Sequence, residues 1–176
     1  MGAAGVLGRL RQPLHHRLAL TSGFPDDFER ECLYAREHWY LHDVLEIDRE
    51  GHKVIAMLDT ERIGAMVDAQ VSWPGHPKHL PGAVAIQMTG TLANLHAVYC
   101  MDLRPSEGWV GFGTHIKSGR FPRLGQIGPP VIAHAEATRR RMIRGTWFVD
   151  YAFRYEQDGE LVYESVQVAA WGRAKP

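Results

Sequence analysis

The chain has no excess of charge of either sign, with twenty Lys and Arg set against twenty Asp and Glu. Without a whole-molecule field to draw it onto nucleic acid or an anionic membrane, any basic docking site must be local. Cysteine is scarce, with two in 176 residues. Cys32 and Cys100 lie far apart and outside any C-x-x-C pattern, which reads as two reduced thiols in a cytoplasm rather than a disulfide scaffold. A long unbroken apolar run is also missing. The strongest candidate, Ala83 to Cys100, is interrupted by Gln87, Thr89, Thr91, Asn94 and His96, poor material for a lipid-facing span. The first twenty residues hold Arg9, Arg11 and Arg17 and no acid, yet glycine, arginine and proline break their apolar stretches. They lack the h-region of a secretory signal and are expected to form a loose N-terminal arm.

Hydrophobic residues make up 45% of the chain and aromatics 10%, enough for one ordinary core in one domain. Pro25 followed by Asp26, Asp27 and Glu29 predicts a helix start, and Phe28, Cys32 and Ala35 continue it at helical spacing over 25–37. From Trp39 to Ile47 and from Lys53 to Leu58 the pattern is strand-like, with a polar turn between, hence a hairpin. Pro74, Gly75, Pro77 and Pro81 punctuate Glu61 to Pro81, a long loop of the kind that carries function. Gly82 to Tyr99 reads as a helix apolar on nearly every face and therefore central; Gly90, Ala93 and Ala97 leave room around it. Strands are expected from Trp109 to Lys117, Val131 to Arg141, Thr146 to Glu156 and Leu161 to Trp171, the last two joined through the turn signal Asp158-Gly159. The expected division is an arm and short helix over 1–37 and one domain over 38–176. Its class is α+β, an antiparallel sheet wrapped around one long helix, which is the hotdog architecture.

The loop adds sequence to that outline. Gln70-Val71-Ser72-Trp73-Pro74-Gly75-His76-Pro77-Lys78-His79-Leu80-Pro81-Gly82 resembles the loop of 3-hydroxyacyl-acyl-carrier-protein dehydratases, which reads roughly Q-G-H-F-P-G-x-P-x-M-P-G. One extra residue precedes Leu80-Pro81-Gly82. Leu41 to Asp48 looks like that family's first strand, and Arg120-Phe121 like its recurrent Arg-Phe pair. Where the family has its catalytic histidine this chain has Ser72, and where it has its catalytic carboxylate this chain has Gln87. Dehydration needs a base for the alpha proton and an acid for the departing hydroxyl, and neither a serine hydroxyl nor a carboxamide titrates near neutral pH. The ordinary dehydratase mechanism is thus not expected. The resemblance does imply that the backbone N–H of Gly82 holds a thioester carbonyl, a role suited to the free N–H groups and positive dipole end of a helix start.

Hotdog thioesterases share the scaffold and usually activate water with a carboxylate, but the helix from Gly82 to Tyr99 contains no Asp or Glu. Asp68 is the nearest acid by sequence, either a water-activating base or a solvated loop residue. Gln87 either orients a water and the thioester or is a satisfied amide in the helix packing. Ser72 as a nucleophile would need a base that the sequence does not identify. Gln70, Trp73, His76 and His79 on the loop, with Arg120 and Phe121, are candidate substrate contacts. His76 and His79 lack further ligands at metal-site spacing, so no metal is expected. Arg139, Arg140, Arg141 and Arg144 form the densest basic cluster, either a solvated hairpin tip or a dock for an acidic carrier protein or the phosphates of coenzyme A. The leading expectation is a cytoplasmic acyl-thioester hydrolase working on acyl-CoA or acyl-carrier-protein, with no cofactor beyond the phosphopantetheine that carries the acyl group. It would act as a homodimer or pair with a related hotdog subunit. The alternatives are a non-catalytic partner of an active dehydratase, and a dehydratase or isomerase with catalysis relocated to His76 or His79.

Overall fold

A computed structural model describes residues 23–174 and the backbone of Arg17–Leu18. The loose arm expected for the first twenty residues lies outside the described residues, apart from those two. They form β1, which pairs with Asp48 and Ile47.

The predicted hairpin is present as β2 (Asp43–Asp48) and β3 (Lys53–Leu58). Val44, Ile47, Val54, Ala56 and Leu58 alternate inward and are fully buried. The central helix, α3 (Gly82–Met101), runs two residues beyond the expected end. It ends at Asp102 in the left-handed conformation, φ 56°, where the Leu103 N–H returns to the Ala97 carbonyl. Val84, Met88, Leu92, Leu95 and Val98 on it are fully buried, while Ile86 near its start is 41% exposed. The polar residues that interrupt it find partners: the Thr91 hydroxyl donates to the Trp39 carbonyl at 3.1 Å, and the Asn94 amide to the Glu31 carbonyl at 2.9 Å.

Four long strands follow, β4 (Trp109–Arg120), β5 (Val131–Ile143), β6 (Thr146–Gln157) and β7 (Glu160–Arg173). The antiparallel sheet has the order β1-β2-β3-β5-β6-β7-β4, so β4 reaches back across the fold to pair with β7 at one edge. Asp158-Gly159 makes the predicted turn, both residues at positive φ (51° and 78°), and Arg144-Gly145 repeats it between β5 and β6 (49° and 79°). Tyr151, Phe153 and Tyr155 from β6 lie buried within the core that includes α3.

Two expectations are corrected. Residues 25–37 do not form one helix: α1 spans Phe28–Glu31, and a separate 3-10 turn covers Arg36–His38. Between them the chain bends at Leu33 and Tyr34, because Phe24, Phe28 and Trp39 gather into one aromatic cluster with centroids 4.7–5.4 Å apart, and the Trp39 indole N–H reaches back to the Tyr34 carbonyl at 2.8 Å. A straight helix could not place all three rings together. Nor does the first strand begin at Trp39. Tyr40 sits at φ 54°, incompatible with extended pairing, so β2 starts at Asp43. The long loop also contains two short helical pieces, a 3-10 turn at Thr60–Arg62 and α2 (Ala65–Asp68). Among the described residues no helix is long and apolar enough to cross a membrane, which leaves strands unaddressed.

Candidate functional site

α3 begins without a side-chain cap. Pro81 occupies the cap position, and its carbonyl accepts from the Val84 and Ala85 N–H groups at 3.0 and 3.2 Å. The N–H groups of Gly82 and Ala83 precede the first helical hydrogen bonds and keep the partial positive charge of the helix end. Phe121 lies over this start, since a Cβ on Gly82 would stand 3.3 Å from the Phe121 Cζ. The ring packs in turn on Tyr163, centroids 4.7 Å apart. The structure therefore brings Gly82 and Phe121 together.

A trough runs along α3 from this end. Its outer part, about 380 Å³, touches Ala83, Val84 and Gln87 and is walled by His38, Tyr40 and Met66. The main part, about 300 Å³, runs from Ile86 to Ala93 between α3 and the sheet, with Gln87, Thr89, His115 and Gln167 among its walls. A narrow extension of about 30 Å³ follows at Gly90, Ala93 and Asn94. Tyr34 borders all three, roofing α3 at Gly90, where an added Cβ would stand 2.7 Å from its hydroxyl. Gln87 joins the outer and main parts. Thr89 donates to the Ile86 carbonyl at 2.6 Å and lies 3.3 Å from the Gln167 carbonyl oxygen. Gln167 donates to Ser165 at 3.0 Å, so its amide is held rigidly. Among the described residues none that lines these three spaces is an Asp or Glu, and His115 is the imidazole in the main part.

The loop residues are arranged differently. Trp73-Pro74-Gly75-His76 closes a tight turn, with Trp73 and His76 exchanging backbone hydrogen bonds at 3.1 and 2.8 Å and Gly75 at φ 77°. The Gln70 amide spans the loop, accepting from the His79 N–H at 3.2 Å and donating to the His79 carbonyl at 2.7 Å. Both ends of Gln70 are thereby used to hold backbone. Ser72, Trp73 and His76 are exposed, and neither His76 nor His79 borders the trough, although their rings stand 5.0 Å apart. His79 holds the Pro77 carbonyl at 3.1 Å. Asp68 ends α2 instead of lying on irregular loop, and is exposed outside the trough.

Arg120 is ion-paired with Glu164 across β4 and β7 at 2.5 Å. In the arginine cluster, Arg141 is drawn to the buried Asp150, 3.5 Å away, while Lys117 contacts the same carboxylate at 2.5 Å. Arg139, Arg140 and Arg144 remain exposed. Arg140 stands in register with Val149, Ala169 and Gly113, three strands across the sheet and seven residues along β4 from Arg120, and so more than roughly 20 Å from the Arg120 end of that strand. The cluster is thus well separated from Gly82. Among the described residues no group of three His, Cys, Asp or Glu could hold a metal ion. Cys32 and Cys100 are free thiols, which burial pushes up to about 11 and about 12, so neither is a ready thiolate.

Sequence reasoning missed Tyr34, His115, Thr89 and Gln167 as lining residues. Only the sheet order, which sets β4 beside β7, brings the last three to one space.

No family model and no curated protein matches the chain. Solved structures do. The dehydratase heterocomplex ApeI:P from Xenorhabdus doucetiae aligns with a TM-score of 0.58 at 13% identity over 84% of this chain and 90% of that one. AziG of S. sahachiroi aligns at 0.57 and 16% identity over 78% and 95%. A mutant thioesterase from Pseudomonas aeruginosa aligns at 0.48 and 18% identity over 69% and 76%. At such identities the likeness is one of architecture, and together with a long helix enclosed by an antiparallel sheet it shows that this chain has the hotdog fold.

Proposed function

We propose that the chain binds an acyl group held as a thioester, on coenzyme A or on the phosphopantetheine of an acyl carrier protein, and hydrolyses it. The observation that carries this reading is the trough itself, which starts beside an uncapped helix N-terminus and continues along α3. The Gly82 and Ala83 N–H groups suit a thioester carbonyl and the oxyanion formed when water attacks it. Gln87 stands at the junction of the outer and main parts, placed to orient that water. Asp68 does not line the trough, so His115 replaces it as the candidate base. The hydrolase would work in a cytoplasm, where the free thiols Cys32 and Cys100 persist. Arg139, Arg140 and Arg144 offer a docking face for an acidic carrier.

Assembly enters the same reading. Among the described residues β4 is paired on one side only, and Val110, Phe112 and Ile116 along it are 41%, 66% and 57% exposed. A long apolar edge of this kind is a template for another strand, and the proposed occupant is a second hotdog chain, identical or related. The absence of any carboxylate along the trough favours a second reading, a non-catalytic subunit that lends its cavity wall to an active partner.

The test is incubation of the purified chain with acyl and 3-hydroxyacyl thioesters of several lengths, following free thiol and loss of water by mass spectrometry. Thiol release is expected. Loss of water instead would return the chain to dehydration by displaced groups, and silence from both assays would favour the non-catalytic subunit.

A further inference from the structure

The outer part of the trough shares the walls His38, Tyr40 and Met66 with a wider vestibule of about 680 Å³. Tyr40, common to both spaces, holds a left-handed backbone at φ 54°, a strained conformation for a bulky residue. Arg36, Arg62 and His42 also line the vestibule, and Glu37 is the acid among its walls. Arg62 ends the 3-10 turn Thr60–Arg62, which is held in place on both sides: the Asp59 carboxylate accepts from the Glu61 N–H at 3.1 Å, and the buried Thr60 hydroxyl donates to the Pro129 carbonyl at 3.0 Å. Among the described residues Arg62 has no ion-pair partner. Arg36 lies over the Trp39 ring and 3.3 Å from Glu29, in a pair exposed on both sides and so screened by solvent. His42 Nδ1 accepts from the Asp59 N–H at 3.0 Å, so the neutral ring carries its proton on Nε2. Burial and then the charge of Arg62 push the pKa of His42 down, which keeps the ring neutral at pH 7.

We propose that this vestibule takes the phosphate of the pantetheine arm, with the Arg36 and Arg62 guanidiniums supplying charge and His42 Nε2–H a neutral donor; this rests on the acyl-thioester reading above. Three features specify the group. Two guanidiniums against one carboxylate leave the walls net positive, so the group is an anion. The guanidinium fork matches the paired oxygens of a phosphate, and charge-assisted hydrogen bonds of this kind are the strong ones. The place also fits: with the acyl chain in the main part along α3, the outer part at the helix start and the vestibule adjoining it are left for the arm that carries the thioester. The phosphate stands at the far end of that arm from the sulfur, and coenzyme A and a carrier protein both attach the arm through it.

The experiment uses non-hydrolysable thioether analogues made as twins, acyl-pantetheine and acyl-4′-phosphopantetheine, with affinities for the full chain measured by calorimetry in low-salt buffer. The phosphorylated twin is expected to bind about tenfold or more tightly, with the difference shrinking as salt is added, and Arg36→Gln with Arg62→Gln is expected to erase it. Equal affinities of the twins for the wild type, or a difference that survives the double variant, would overturn the proposal while leaving the acyl-thioester reading intact. Binding of neither twin would overturn both. The same acyl thioether on coenzyme A and on a carrier protein then separates the sources, the tighter of the two being the one whose phosphate the vestibule holds. Both arginines are exposed, and if the double variant fails to fold the wild-type twins alone decide.

Discussion

Acid should destabilise this protein in a pH window set by one buried histidine. His96 on α3 has no exposed surface, and both ring nitrogens are engaged: Nε2 lies 3.2 Å from His52 Nδ1, and Nδ1 lies 2.9 Å from the Tyr151 hydroxyl. A neutral imidazole offers one donor and one acceptor, which matches two such contacts. Burial pushes its pKa down from 6.5 to about 4. Between those values the unfolded chain takes up a proton that the folded chain refuses, so stability is full above about 6.5 and falls as the pH drops towards about 4. The difference corresponds to at most roughly 3 kcal/mol, a large part of the stability of an ordinary domain. Half-buried His42 is lowered too, chiefly by burial, and adds to the same slope.

Carboxylates act elsewhere. Asp27 is held low by the Tyr99 hydroxyl and Arg104, and Asp150 by Lys117 and Arg141. Their contributions are present above the ordinary carboxylate value and are lost only as the pH falls below it. Urea unfolding at a series of pH values from 7.5 to 4.5, on wild type and His96→Gln, isolates the histidine. The wild type should lose about 2–3 kcal/mol more than the variant across the window. Equal slopes for the two proteins, or a His96 resonance titrating near 6.5, would refute the reasoning.

Gly111→Ala should lower the melting temperature by several degrees in a thermal scan, because the new Cβ would stand 2.4 Å from Cε3 of the buried Trp171 and such overpacking costs about 1–3 kcal/mol. Gly90→Ala should fail to gain the ~1 kcal/mol that alanine normally adds in a helix, since its Cβ meets Tyr34; in a Tyr34→Ala background the gain should return, and an additive double-mutant cycle would refute the contact. Gln87→Ala should reduce thiol release about tenfold or more with little change in melting temperature, and an unchanged rate would remove Gln87 from the proposed site.

The parts of the fold that were legible share one property, a local pattern that tertiary contacts had no reason to oppose. α3 was readable because its apolar residues cover every face, and the turn at Asp158-Gly159 because few residue pairs accept two positive φ values. The stretch 25–37 carries helical spacing, yet Phe24, Phe28 and Trp39 gain more by clustering than by continuing a helix. At the site, Gly90 and Ala93 do line the trough, whereas Ala97, which looked equally spare, is fully packed. Nothing in the heptad of residues around each distinguishes them; the difference is which strand passes opposite. Asn94 and His96 both read as interruptions in an apolar helix. One is satisfied through both ring nitrogens, and the other holds the Glu31 carbonyl with its amide.

The trough carries a packing cost. Larger side chains at Gly90, Ala93 and Gly113 would fill it and add buried apolar contact, which is the direction in which packing alone drives a core. Keeping it open forgoes that contact. A ligand that fills the volume would recover that contact. Ser72 and Gln87, where the resembled family has its acid/base pair, remove the ordinary dehydratase chemistry and leave the volume along α3 unchanged. Whether hydrolysis follows turns on His115, the imidazole that shares the main cavity with Gln87. His115→Gln should leave analogue binding intact and remove thiol release, and the two readouts together separate a hydrolase from a chain that only holds its ligand.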